Sequence, residues 1–171
     1  METTQNEIER ALRVLIDKQL WTCRRAADMA TFQFGRRLPT QDFFGKATEV
    51  GDYALHVQCA WRIVQRGHIA VASGDLYYPA KYDGNLPLAE EFDWGRSANR
   101  RDALIQDLFS EGQPILIVRE IETGLAARFR LILTGDAELE VFPDDSMRHE
   151  HWRLLSPLTE TSHFVPSANE P

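Results

Sequence analysis

The clearest pattern in the chain is a two-residue alternation in its middle third. Leu55, Val57, Cys59, Trp61 and Ile63 alternate with His56, Gln58, Ala60, Arg62 and Val64, as in a strand with one face against a core. Arg66-Gly67 follows as a two-residue turn, which the glycine's tolerance of positive φ permits. A second strand then starts at His68. Pairing Gln65 with His68 sets Trp61 opposite Ala72, Cys59 opposite Gly74, Val57 opposite Leu76 and Leu55 opposite Tyr78. One apolar face then continues across both strands, and this agreement sets the expected register.

Helical spacing occurs twice. Thr4-Gln5-Asn6-Glu7 reads as a capping box, in which hydroxyl and carboxylate each satisfy a free backbone N–H. Ile8, Leu12, Leu15 and Ile16 follow as one stripe, with Glu9 and Arg13 a turn apart on the wetter side. A second helix capped by Ser97 or Asn99 carries Leu104, Ile105, Leu108 and Phe109, and Gly112 is placed to end it.

Between these signals the pattern is less regular. Residues 20–34 suit a strand, but Trp21 and Cys23 have one parity and Ala30, Phe32 and Phe34 the other, which a bulge within 24–28 would reconcile. Residues 35–51, with Pro39 and Gly45, read as a connecting loop, and 79–96 as a long surface loop. Residues 115–122 and 125–133 read as strands, and Thr134-Gly135-Asp136 makes a three-residue hairpin into 137–142. That hairpin sets Leu131 opposite Leu139, Phe129 opposite Val141, and Arg130 opposite Glu140 on the outer face. Short strands are expected within 150–155 and 163–165, and 167–171 should fray. The expected fold is α+β: a largely antiparallel sheet or partly closed barrel with an N-terminal helix and one inserted helix, forming a single domain over 1–166.

Composition narrows the function. The chain has 171 residues, a net charge of −7 and two cysteines. Its longest apolar runs fall far short of the roughly 20 residues that cross a bilayer, and its N-terminus lacks a signal-like apolar stretch. A cytoplasmic protein without membrane contact is therefore expected. Cys23 and Cys59, without CxxC spacing, read as core thiols. Residues 101–171 carry 6 basic and 13 acidic side chains. That balance opposes phosphate-backbone binding, so no nucleic-acid partner is expected, and it would steer toward a basic protein.

The expected register gathers His56, Gln58, Arg62, Ser73, Asp75 and Tyr77 on one polar face. Covered by a loop or helix, these six would line a binding pocket, with Arg62 gripping a carboxylate or phosphate through its fork and Asp75 orienting His56 or pairing with Arg62. Uncovered, they are the wet face of a half-buried sheet. A Cys59–His56 nucleophilic pair is opposed by parity, because residues three apart on a strand point to opposite faces. His149 and His151 flank Glu150 and could project together, but two imidazoles are not a metal site and nothing local fixes His163 as a third ligand. Glu90-Glu91 and Asp144-Asp145 read as solvated loop charges. Tyr77, Tyr78, Tyr82, Phe92 and Trp94, in or beside the long loop, supply the kind of area that recognition surfaces use, or else a lid packed on the sheet. Dinucleotide, P-loop, hydrolase-elbow and zincin motifs are absent, so no catalytic residue, metal or cofactor is expected.

Residues 54–62, Ala-Leu-His-Val-Gln-Cys-Ala-Trp-Arg, followed by Ser73-Gly74-Asp75 and later Glu150-His151-Trp152-Arg153, resemble a group of small uncharacterised bacterial proteins with a His-x-Gln-Cys-x-Trp-Arg and downstream Asp pattern. The resemblance covers about a quarter of the chain. It implies a compact bacterial protein and transfers no activity. The expectation is a non-enzymatic binding or accessory protein that recognises a protein or small ligand through the polar hairpin face and the aromatic loop, with a homo-oligomer as another possibility. The alternative is a small enzyme or ligand pocket for an anionic metabolite, anchored by Arg62 with His56 as acid/base.

Overall fold

The computed structural model describes residues 4–81, 84–85, 92–160 and 163–167. Helix α1 (Thr4–Leu12) continues into a 3-10 turn (Arg13–Leu15), and Ile8, Leu12 and Leu15 are fully buried against the sheet. The stripe is as expected, and Arg13 pairs with Glu9 at 2.6 Å on the outer side. Helix α2 (Arg100–Leu108) is capped by Asn99, whose Oδ1 accepts from the Asp102 N–H at 2.9 Å.

Among the described residues there are eleven strands: β1 (Gln19–Ala26), β2 (Met29–Phe34), β3 (Leu38–Gln41), β4 (Ala47–Val50), β5 (Tyr53–Val57), β6 (Ala60–Gln65), β7 (His68–Ala72), β8 (Leu116–Thr123), β9 (Phe129–Leu133), β10 (Ala137–Phe142) and β11 (Trp152–Leu155). Nine form one antiparallel sheet in the order β11-β5-β2-β1-β8-β9-β10-β6-β7, and β3-β4 is a separate hairpin. The sheet is open, with β11 and β7 at its edges. It is thinnest at its middle, where only Gln19 and Leu20 of β1 pair with Ile117 and Leu116 of β8.

Chain continuity shows how this sheet bends. β5 and β6 stand second and eighth in the order, yet only Gln58 and Cys59 separate them. Six strand spacings in a flat sheet would span about 29 Å, whereas three residues reach about 11 Å. The sheet therefore curls until its flanks nearly meet. One contiguous core fills the curl, with Phe32 and Trp61 edge-to-face at 4.9 Å and Phe129 and Trp152 at 4.8 Å.

The β9–β10 hairpin has the expected register, with Leu139 opposite Leu131, Val141 opposite Phe129 and Glu140 opposite Arg130. Four sequence expectations are corrected. Residues 20–34 form two strands: the chain reverses at Ala27-Asp28 so that Cys23 and Phe32 become cross-strand partners, and the parity change comes from the turn. Residues 35–51 contain the β3–β4 hairpin. The long alternation divides at Gln58-Cys59 into β5 and β6, which have different neighbours. Gln65 does pair with His68 across Arg66-Gly67, but a shift between Ile63 and Val64 sets Arg62, not Trp61, opposite Ala72. The segment expected within 163–165 makes a single bridge, from Phe164 to Leu154; of the tail 167–171, expected to fray, residues 168–171 lie outside the described residues.

Candidate functional site

The six polar residues do not share one face. β7 ends at Ala72 because its N–H donates to Asp75 Oδ2 at 2.8 Å, which turns Ser73–Tyr77 into a 3-10 segment. Ser73 Oγ accepts from the Trp61 N–H at 3.3 Å, and Asp75 pairs with Arg100 of α2 at 3.3 Å. Tyr77 is exposed and lies edge-on to Trp94, 5.8 Å between ring centres. Arg62, on β6, pairs with Glu140 of β10. His56 lies on β5 between Thr31 and Arg153. Burial holds its imidazole below the ordinary value; Arg153 and His163 lower it further, and Glu150 opposes them. Gln58 donates to Glu150 Oε1 at 3.5 Å, so it and His56 share the Glu150–Arg153 neighbourhood, while the other four residues sit elsewhere.

A groove of about 590 Å³ crosses the outer face of β8, β9, β10 and β6, lined by Arg62, Glu122, Arg128, Arg130, Glu140 and Phe142 among others. Four of its charges stand in one cross-strand row, Glu122, Arg130, Glu140 and Arg62. Arg130 also reaches Glu138 at 3.0 Å. Both Arg62 and Arg130 are thus engaged by carboxylates, and an incoming anion would have to displace a glutamate from either.

Cys59 is buried at the β5–β6 corner. Burial, reinforced by the charges of Asp144 and Asp145, pushes its thiol up to about 12, the wrong direction for a nucleophile. Cys23 is likewise pushed up to about 12 by burial. Arg101 is fully buried: Nη1 donates to Asp28 O at 2.9 Å, and Nε and Nη2 have no hydrogen-bond partner among the described residues.

The residues able to hold a metal sit in the β10–β11 connection. Asp145, His149 and His151 place their ligand atoms within 4.8 Å of one another, and the two imidazole rings lie 4.5 Å apart between centres, tilted by 44°. Residues 149–151 are not strand, and the third donor is Asp145, whereas His163 lies beside Arg153 at 3.3 Å. The Met147 N–H, more than His149, holds the Asp145 carboxyl below its usual range. The Glu150 carbonyl first, and Asp145 second, raise His149.

Of the aromatics expected at the long loop, Tyr77 and Tyr78 are exposed, and Tyr77 meets Trp94. Tyr82 and the Glu90-Glu91 pair lie outside the described residues. Among the described residues the most exposed aromatics are Phe43 and Phe44, 97% and 89% accessible at the tip of the β3–β4 hairpin. Their turn is firmly built. Asp42 Oδ1 accepts from the Phe44 and Lys46 N–H groups at 2.9 Å each, its backbone bonds to Lys46 and Gly45, and Gly45 takes a φ of +77°. The stem is tied down by Arg24, donating to Glu49 O at 2.7 Å, and by buried Gln33, which accepts from the Gly51 N–H at 2.8 Å. The adjacent pair Phe43-Phe44 was visible in the sequence. What hid it was reading the segment as a loop, since no alternation marks so short a hairpin.

Among the described residues no helix is long and apolar enough to cross a membrane. Comparison with family models, curated proteins and solved structures finds no match to this chain.

Proposed function

We propose that the protein is a non-enzymatic recognition module of the α+β class, in which a partly closed barrel forms a rigid frame and the β3–β4 hairpin projects as a two-phenylalanine finger. The occupant of that finger is a protein partner with an apolar cleft. The observation that carries the reading is the near-complete exposure of two adjacent aromatic rings on a turn fixed by four hydrogen bonds around Asp42. Exposed aromatics of this kind supply large contact area at low entropic cost and are enriched among the residues that dominate binding energies. A net charge of −7 favours a partner of opposite sign through long-range steering.

The metabolite reading has less support. It needs Arg62 free and His56 beside it, whereas Arg62 is engaged by Glu140, and His56 has Arg153, Glu150 and His163 as its charged surroundings. The test is the double variant Phe43→Ser/Phe44→Ser. Both side chains are solvent-facing, so thermal stability should stay within about 0.5 kcal/mol of the parent. Affinity for a partner identified by cross-linking should fall at least about 30-fold, the loss of roughly 2 kcal/mol expected of a hot spot. Unchanged affinity would remove the finger from the interface. Sedimentation of both proteins distinguishes a second copy of the chain from another partner.

A further inference from the structure

We propose that Asp145, His149 and His151 form a binding site for one divalent transition-metal ion of the zinc class, which holds the β10–β11 connection in the shape it takes against the β5–β6 corner. Two independent features point to a cation. The first is the tautomer of His149. Its Nδ1 lies 3.1 Å from Glu150 O and so carries the hydrogen, while Nε2 lies 3.1 Å from Asp145 Oδ2. In the neutral ring that places a nitrogen lone pair against a carboxylate oxygen, two acceptors facing each other. Positive charge between or on them resolves the conflict. A backbone carbonyl holding the far N–H is also how metal-binding histidines are usually oriented, and 3.1 Å is a few tenths of an ångström under the edge, about 3.4 Å, of a tetrahedron with metal–ligand bonds of about 2.1 Å.

The second feature is His151. Its ring is 1% exposed, and neither Nδ1 nor Nε2 has a hydrogen-bond partner among the described residues. A buried imidazole with both nitrogens unmatched is costly, and its ligand atom lies within the cluster defined by Asp145 and His149. A metal ion bound there would take one of the two His151 nitrogens and resolve the conflict at His149 together. Two imidazoles and one carboxylate suit zinc and its borderline neighbours, whereas magnesium and calcium favour all-oxygen sets. Three protein donors leave one tetrahedral position for solvent.

The surroundings indicate a structural role. Asp144, beside the first ligand, accepts from the Ala60 N–H at 3.1 Å, and the His151 carbonyl accepts from the Gln58 N–H at 2.8 Å. The connection that crosses from β10 to β11 is thus already stitched to the corner where β5 passes into β6, and a metal ion would lock that stitch.

The test uses the untagged full chain, stripped with chelator and titrated with Co²⁺ and then Zn²⁺. One equivalent of Co²⁺ should give the visible absorption of a tetrahedral site, and Zn²⁺ should abolish it. Zinc at about 100-fold over its Kd should raise Tm by roughly 5–10 °C. His149→Ala and Asp145→Asn, both at exposed positions, should fold and bind about 100-fold or more weakly, since even outer-shell changes cost up to that factor. His163→Ala should bind as the parent does. Absence of both the spectrum and the Tm shift in the parent would overturn the site, as would parental affinity in His149→Ala.

Discussion

The curled sheet makes a sharp demand on Trp152. This residue stands on edge strand β11, fully buried, and its indole N–H donates to Ala127 O at 2.8 Å in the connection between β8 and β9. Its ring meets Phe129 of β9 at 4.8 Å. It therefore ties one flank of the sheet to the other through the core. Trp152→Phe keeps an aromatic ring but removes the donor and roughly 40 Å² of apolar surface, worth about 1 kcal/mol at 25 cal/mol per Å². Leaving the buried Ala127 carbonyl without its donor adds about 1–2 kcal/mol. The expected total is about 2–3 kcal/mol, or a Tm lower by roughly 5–10 °C for a chain of this size. Trp21 provides the internal control. It is also buried, but its indole N–H has no hydrogen-bond partner among the described residues. Trp21→Phe removes an unsatisfied donor, which offsets the lost area and the cation–π contacts with Arg37 and Arg24, whose guanidinium carbons lie 4.8 and 5.6 Å from the ring centre. That variant should lie within about 1 kcal/mol of the parent. Urea unfolding followed by far-ultraviolet circular dichroism measures both without relying on the altered fluorophore. Equal losses in the two variants would refute the reasoning.

Other consequences follow from buried polar groups. Arg101→Met should be neutral or stabilising by about 1 kcal/mol in the same unfolding assay, because a buried guanidinium with one paired nitrogen costs more in desolvation than one hydrogen bond returns. A loss above about 2 kcal/mol would show that Arg101 has a partner beyond the described residues. His56 should titrate by NMR below its ordinary 6.5, since burial, Arg153 and His163 outweigh Glu150. The unfolded chain then binds the proton more readily. The stability associated with neutral His56 is full above the unfolded value and is lost as pH falls below it, levelling off below the folded pKa. His56→Gln should flatten that part of the stability profile, and an unaltered profile would contradict the assignment.

Much of the fold could be read from alternation because one buried face enforces it locally. The β9–β10 register needed only facing apolar pairs and a short turn. Alternation is blind, however, to which neighbour a strand acquires. Residues 55–63 keep one rhythm through Gln58-Cys59, yet the chain changes flank there, because the curled sheet brings both flanks within reach of a two-residue corner. The expected register failed from Ile63 onward for a different reason. A bulge admits one extra residue on β7, and the Asp75 carboxylate then competes for the Ala72 N–H that a continuing strand would use. The polar face depended on both features and divided with them. Asp145 escaped notice as a metal donor because it lies four and six residues from the two histidines in a segment without periodicity. Only the folded β10–β11 connection brings the three together.

The most direct measurement of the recognition role places a photo-reactive benzophenone side chain at position 44 and, as a control, at position 125, where Leu125 is also largely exposed. On illumination in the native cell, the account expects one discrete adduct from position 44 that is lost when Phe43 is also changed to Ser, and none from position 125. Equal, diffuse labelling from both positions would contradict it.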